Sequence, residues 1–180
     1  MAIVLTACGT SASAHSVDAF GLPIGQPLTR AELAAHSESH LFYPGSKLVR
    51  WVGSNQIPNP HETEPNPAYA GAILTASATA GQLYAFYEKE LRPGGFYAVN
   101  DYRLSSQVSG RTWEVDQRVQ VQVGIFNPVL LKQDENITAV TQPGDLLYQV
   151  VLVGYSKHPS GDATPSSSTG LILPRSLIRF

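Results

Sequence analysis

Residues 111–126 set Trp113, Val115, Val119, Val121, Val123 and Ile125 on one parity, and Glu114, Asp116, Arg118, Gln120 and Gln122 on the other. Successive side chains of a β-strand point to opposite faces, so alternation this long predicts a half-buried antiparallel strand, interrupted near Gln117. The polar parity is expected to meet water. The apolar parity needs cover, and the chain supplies an obvious candidate. Thr79-Ala80-Gly81-Gln82 matches a capping box, and Leu83, Phe86, Tyr87 and Leu91 follow at helical spacing on one face. Pro93 should bias Arg92 away from helical geometry, and Gly94-Gly95 offers a left-handed stop.

The remaining elements fit around this pair. Thr29-Arg30-Ala31-Glu32 is a second capping box, predicting a short helix to about His36. Strands are expected over 47–56, 69–77, 96–104 and 145–155. The last is apolar on both parities, which places it in the interior of the sheet. The class is therefore α+β. The expected architecture is an antiparallel twisted sheet of about five strands, covered on one face by one main helix, with a short N-terminal helix beside it.

Only one of the 180 residues is cysteine, so internal disulfides are excluded. Twelve basic and fourteen acidic residues leave a net charge of −2, which argues against a nucleic-acid partner. The lone cysteine follows Leu5-Thr6-Ala7. An aliphatic residue, two small residues and then cysteine resemble the lipobox of bacterial lipoproteins. That resemblance implies a lipid anchor on Cys8, attachment to the cell membrane on its extracytoplasmic side, and an envelope or membrane-protein partner. Residues 1–7 then read as the remnant of a signal peptide. Its basic and longer apolar parts would lie upstream of Met1, because no basic residue precedes Arg30. The alternative is that Met1 is the true start, the chain is cytoplasmic and Cys8 is incidental.

On this reading 8–28 is a lipidated flexible linker and 29–155 is a single α+β domain. Residues 156–170 form a Ser/Pro-rich linker, and 171–180 an apolar C-terminal segment. A second resemblance covers roughly residues 40–155. Tyr43-Pro44-Gly45 before a strand, Phe86-Tyr87 with Leu91 on a helix, and then Gly95-Phe96 are similar to a group of bacterial, especially actinobacterial, envelope proteins of unknown function. This implies an extracytoplasmic α+β domain and assigns no activity.

The chemistry-bearing motifs are sparse. His36 and His40, four apart, are the candidate metal pair, with no third ligand fixed by spacing. His61-Glu62-Thr63-Glu64 lacks the second histidine of a zinc-protease helix, and no Gly-x-Ser-x-Gly elbow or phosphate loop occurs. No catalytic residue and no cofactor is assigned. Trp51, Tyr97, Trp113 and Phe180 are the candidates for a ligand or interface surface, since exposed rings stack on glycans and lipids. The leading expectation is a non-catalytic accessory subunit of an envelope or membrane complex. The alternatives are a binding module for an apolar or glycan envelope ligand, and a hydrolase-like enzyme without a recognisable motif.

Overall fold

Both threonines open helices in the computed structural model, which describes residues 16–58, 66–105, 108–116, 118–127 and 144–156; the side chains of 104 and 105 are not among them. Thr29 caps α1 (Arg30–Ala34): its hydroxyl accepts from the Glu32 amide at 3.2 Å, while Glu32 Oε2 accepts from the Thr29 amide at 2.7 Å. Thr79 and Gln82 repeat this at the start of α2 (Ala80–Leu91), at 3.3 and 2.9 Å. Each box satisfies two amides that the helix cannot pair internally.

α1 stops at Ala34, and a 3-10 turn follows over Ser37–His40. At the end of α2, Arg92 keeps right-handed helical angles (φ −55°, ψ −42°), contrary to the expected effect of Pro93. The proline stands in the first turn of a 3-10 turn, Arg92–Gly94, where its missing N–H leaves no bond unmade. Termination falls to Gly95, at φ +81°.

The strands are β1 (Lys47–Ser54), β2 (Ala68–Ala76), β3 (Tyr97–Ser105), β4 (Val108–Asp116), β5 (Val119–Phe126) and β6 (Leu146–Gly154). They form one antiparallel sheet of six, not five, in the order β1-β2-β6-β5-β4-β3. The extra strand comes from the long alternation, which folds back on itself as the β4–β5 hairpin. Asp116 makes the turn by accepting from the amides of Arg118 (2.7 Å) and Val119 (2.9 Å) through one carboxylate oxygen. Cross-strand partners such as Trp113 and Val121, or Glu114 and Gln120, share a parity. They also share a face, so the pattern runs through the turn unbroken.

The polar parity meets water only in part: Glu114 and Asp116 are half-buried. Arg118, Gln120 and Gln122 are all buried. β5 lies between β4 and β6, and Gln120 and Gln122 stand beside Val153 and Val151 of β6, members of an apolar cluster on the second face of the sheet. The two glutamines are accommodated by a side-chain ladder in which Gln122 donates to Gln120 and Gln120 to Glu114, each at 3.4 Å. β6 lies between β2 and β5, an interior place that its two apolar parities predict.

Two apolar clusters flank the sheet. The larger joins Leu22, Leu28 and Leu33 with Leu83, Tyr87 and Leu91 of α2 and with Leu74, Trp113, Val121, Tyr148 and Val150 of the strands. The smaller contains Val52, Ile73, Val108, Phe126, Leu147, Val151 and Val153, and no helical residue. β2 comes so close to β6 at Gly71 that a Cβ there would run into the Val150 carbonyl oxygen. The small residues of β2 thus set the spacing at the centre of the sheet.

Residues 16–28 belong to the packed body and not to the flexible linker expected over 8–28; residues 8–15 lie outside the described residues. Residues 16–28 are packed, with Leu22 and Leu28 each 1% exposed. Their hold on the body is an ion pair that the sequence hides. Arg118 donates to Asp18 Oδ2 at 2.6 Å, to the Pro23 carbonyl at 2.8 Å and to the Tyr155 carbonyl at 3.0 Å. Asp18 Oδ1 in turn accepts from the amides of Phe20 and Leu22. The 156–170 and 171–180 segments lie, but for Ser156, outside the described residues, as does most of the proline-rich stretch 58–67.

Candidate functional site

Of the two tryptophans, one belongs to the core and one to the surface. Trp113 is fully buried in β4. Its ring centroid lies 6.3 Å from that of Tyr84 and 6.0 Å from that of Tyr87, and its Nε1–H donates to Glu88 Oε2 at 2.7 Å. That bond, followed by the Arg92 guanidinium, holds the Glu88 carboxyl below the usual carboxylate range. Trp113 is therefore a packing residue, and the expectation that it offers a ligand surface is corrected. Its ring projects onto the sheet face that α2 covers, against Tyr84, Tyr87 and Glu88, and has no solvent side.

Trp51 sits on the outermost strand, β1, and is 46% exposed. Its cross-strand partner is Ala72, so it projects on the side of the larger cluster. Two rings brace it from below: His40 at 5.2 Å and 70°, and Phe42 at 5.7 Å and 47°. The His40 ring is itself fixed, since Nε2 lies 2.8 Å from the Ala34 carbonyl and is the protonated nitrogen in that contact. Two residues along, Gly53 leaves room for the Arg30 side chain, whose Cδ and Nε would stand 2.7 Å from a Cβ there. The Arg30 amide is tied to Asn55 Oδ1 at 2.8 Å. One edge of the sheet thus presents an indole, a phenyl ring and an imidazole together, with the Arg30 side chain over Gly53 two residues along. The exposed indole offers a stacking surface.

Tyr97 is 53% exposed but lies on β3, the opposite edge. Its hydroxyl donates to Glu114 at 3.0 Å, and that hydrogen bond raises its pKa. The structure does not bring Tyr97 and Trp51 into one site. Phe180 and Cys8 lie outside the described residues. His36 and His40 are employed differently: His36 stacks flat on Phe20 (4.3 Å, 18°), whereas His40 turns toward Phe42 and Trp51. Among the described residues no group of three His, Cys, Asp or Glu side chains is placed to hold a metal ion. Among them, too, no helix is long and apolar enough to cross a membrane.

Two polar constellations escape any reading of the sequence. Tyr148, on interior strand β6, accepts from the Tyr43 amide at 3.2 Å and pairs with the Ser46 hydroxyl at 2.8 Å; Tyr87 donates to the Leu41 carbonyl at 2.8 Å. Burial pushes the pKa of both phenols up. They stitch the turn after the 3-10 segment onto the core. Arg111 grips Asp101 through two bonds at 2.5 and 2.7 Å and lies over the rings of Tyr84 and Trp113. Their partners are cross-strand or far along the chain, and no local motif announces them. No family model matches the chain, and neither does any curated protein or solved structure.

Proposed function

We propose that the chain is a lipid-anchored module on the extracytoplasmic face of the membrane. It acts by docking onto an envelope or membrane-protein partner, without catalysis. The observation that carries this reading is the position of Cys8: it is the only cysteine, it closes the Leu5-Thr6-Ala7-Cys8 pattern, and it stands a short way ahead of the packed body. A diacylglyceryl thioether supplies two acyl chains, and each buried methylene contributes about 0.8 kcal/mol, so attachment is stable where one chain is marginal. In this reading α2 and α1 serve as cover for one sheet face, leaving edges and loops for recognition. Expression with the native upstream DNA, in the presence of a fatty-acid analogue, is expected to label the wild type and leave Cys8→Ala unlabelled and soluble. An unlabelled wild type ends the proposal. Crosslinking in intact cells then identifies the partner; turnover of a substrate with no partner captured would favour an enzyme instead.

A second reading is supported by the braced exposure of Trp51. An indole held rigid at an edge, with the Arg30 side chain over Gly53 two residues along, suits a pyranose ring stacked on its face. Acrylamide quenching tests this directly, because Trp113 is shielded and Trp51 supplies nearly all the quenchable emission. Soluble glucans, mannans and N-acetylglucosamine oligomers are the probes. A severalfold fall in quenching with one of them, absent with the others, supports a glycan site. Unchanged quenching with all of them removes it.

A further inference from the structure

α1 and α2 lie on one face of the sheet, to whose larger cluster they give Leu33, Leu83, Tyr87 and Leu91. The smaller cluster, on the second face, contains no helical residue. Yet Ile73, Leu147, Gln149, Val151 and Val153 of that second face are each 0% exposed. Their strand neighbours do not supply the shield. Val151 stands beside Gly71, and Gln149 beside Gly124, so the middle of the face is flanked by bare backbone. Burial there takes a layer laid over the face. It is complete in a single chain, so the layer is made by the chain itself.

The other packed stretches among the described residues face the larger cluster. The 16–25 hairpin, in which Val17 bridges Pro23, turns Phe20 and Leu22 to it, and Leu41, Phe42 and Tyr43 pack there too. The layer therefore comes from outside the described residues, where composition and attachment discriminate. Residues 59–65 hold no aliphatic side chain, and residues 1–15 join the body at the hairpin, on the helix side. Residues 128–143 connect β5 to β6 at the end where Phe126 pairs with Leu147, and Lys132, Asp134 and Glu135 interrupt their apolar side chains. Residues 171–180 differ on both counts. Leu171, Ile172, Leu173, Leu177, Ile178 and Phe180 are large and apolar, and none of the segment is acidic. The chain leaves β6 through Tyr155, which packs against the smaller cluster, so it departs on the second-face side. The fourteen residues 157–170 can span at most about 3.3–3.6 Å each, against a strand length of roughly 30 Å for the nine residues of β6. Reach is ample.

We propose that residues 171–180 dock on the second face of the sheet, with the apolar side chains of 171–173 and 177–180 against Ile73, Leu147, Val151 and Val153. The driving force is removal of both apolar surfaces from water. The domain then has three layers: helices, sheet and the 171–180 segment. This segment closes the chain's own core and is not a sticky end for a partner. Phe180 moves from the candidate ligand surface to the packing of the second face, and the edge at Trp51 remains for recognition. The inference holds whether or not Cys8 is acylated.

Methyl NMR of the full chain tests this. Nuclear Overhauser cross-peaks are expected between methyls of Leu171, Ile172, Leu173, Leu177 or Ile178 and those of Ile73, Leu147, Val151 or Val153. In a mixture of two differently labelled preparations they should stay within one copy. Leu177→Ser with Ile178→Ser should lower the urea midpoint and raise the fluorescence of an added anilinonaphthalene dye severalfold, because an apolar face is opened. Absence of any cross-peak from 171–180 to the sheet overturns the proposal. So do cross-peaks to the same four residues from Val129, Leu130 and Leu131 in place of the 171–180 methyls. Cross-peaks found only between copies overturn it too, since the cover would then be a second molecule. An unchanged midpoint and dye signal in the double variant has the same force. The spectra use the unmodified chain, so they decide the matter even where the variant fails to fold.

Discussion

Arg118→Ala should destabilise the protein by about 3–5 kcal/mol, read as a fall in the urea midpoint at unchanged slope. The arginine side chain is 1% exposed and its partner Asp18 is 7% exposed. Removing it strands a buried carboxylate and withdraws the donor from the carbonyls of Pro23 and Tyr155. An exposed pair would be worth at most about 1 kcal/mol, so a loss smaller than that contradicts the geometry described here. The mechanism separates from simple loss of packing through a cycle. In Arg118→Met, adding Asp18→Asn should restore part of the stability. The amide still accepts from the Phe20 and Leu22 N–H groups through its oxygen while the uncompensated charge is gone. The site of the damage is also defined. Residues 16–25 lose their main attachment, so limited proteolysis of Arg118→Met should cut there first, ahead of the sheet.

That hairpin and its ion pair mark the limit of what the sequence discloses. The capping boxes at Thr29 and Thr79 were legible because every participating atom lies within three residues. The interior place of β6 was legible because a strand covered on both faces must be apolar on both parities. The β4–β5 turn was legible only as an interruption near Gln117, not as a reversal. Partners that share a parity make a folded hairpin and a single long strand look alike, and nothing around residue 117 is as punctuated as Pro-Gly or Asn-Gly. Arg118 looked solvated for the same reason. Its partner is a hundred residues away, and the charge is buried where the 16–25 segment folds over the turn between β4 and β5. At the candidate site the sequence supplied residue types without places. Trp51 and Trp113 both fall in strands and project on the same face, and what separates them is that α2 lies over Trp113 while Trp51 stands on the outermost strand. The bracing of Trp51 by His40 and Phe42 depends on how the chain turns after α1, which no periodicity records.

Substituting the two tryptophans should therefore give sharply unequal results. Trp113→Ala is expected to cost about 3–5 kcal/mol, the range for emptying a large aromatic site in a core. Trp51→Ala should stay within about 1 kcal/mol, because nearly half its surface is already wet and its neighbours can close over the gap. Equal losses would mean that the sheet edges are misassigned. Trp113→Phe isolates the indole N–H. It keeps most of the packing against Tyr84 and Tyr87 but takes from Glu88 the first of the two bonds that hold its pKa down. The Glu88 carboxyl should then titrate nearer its ordinary value, observable by carbon-detected NMR. The linkage sign follows from the direction of the shift. A carboxylate depressed in the folded state adds stability above its unfolded pKa, and that contribution disappears as pH falls through the folded value. The part of the Trp113→Phe deficit that comes from Glu88 is thus present at neutral pH and fades on acidification. The part that comes from lost ring volume persists at every pH. Glu88 is well exposed, so solvent screening keeps the pH-dependent part the smaller of the two.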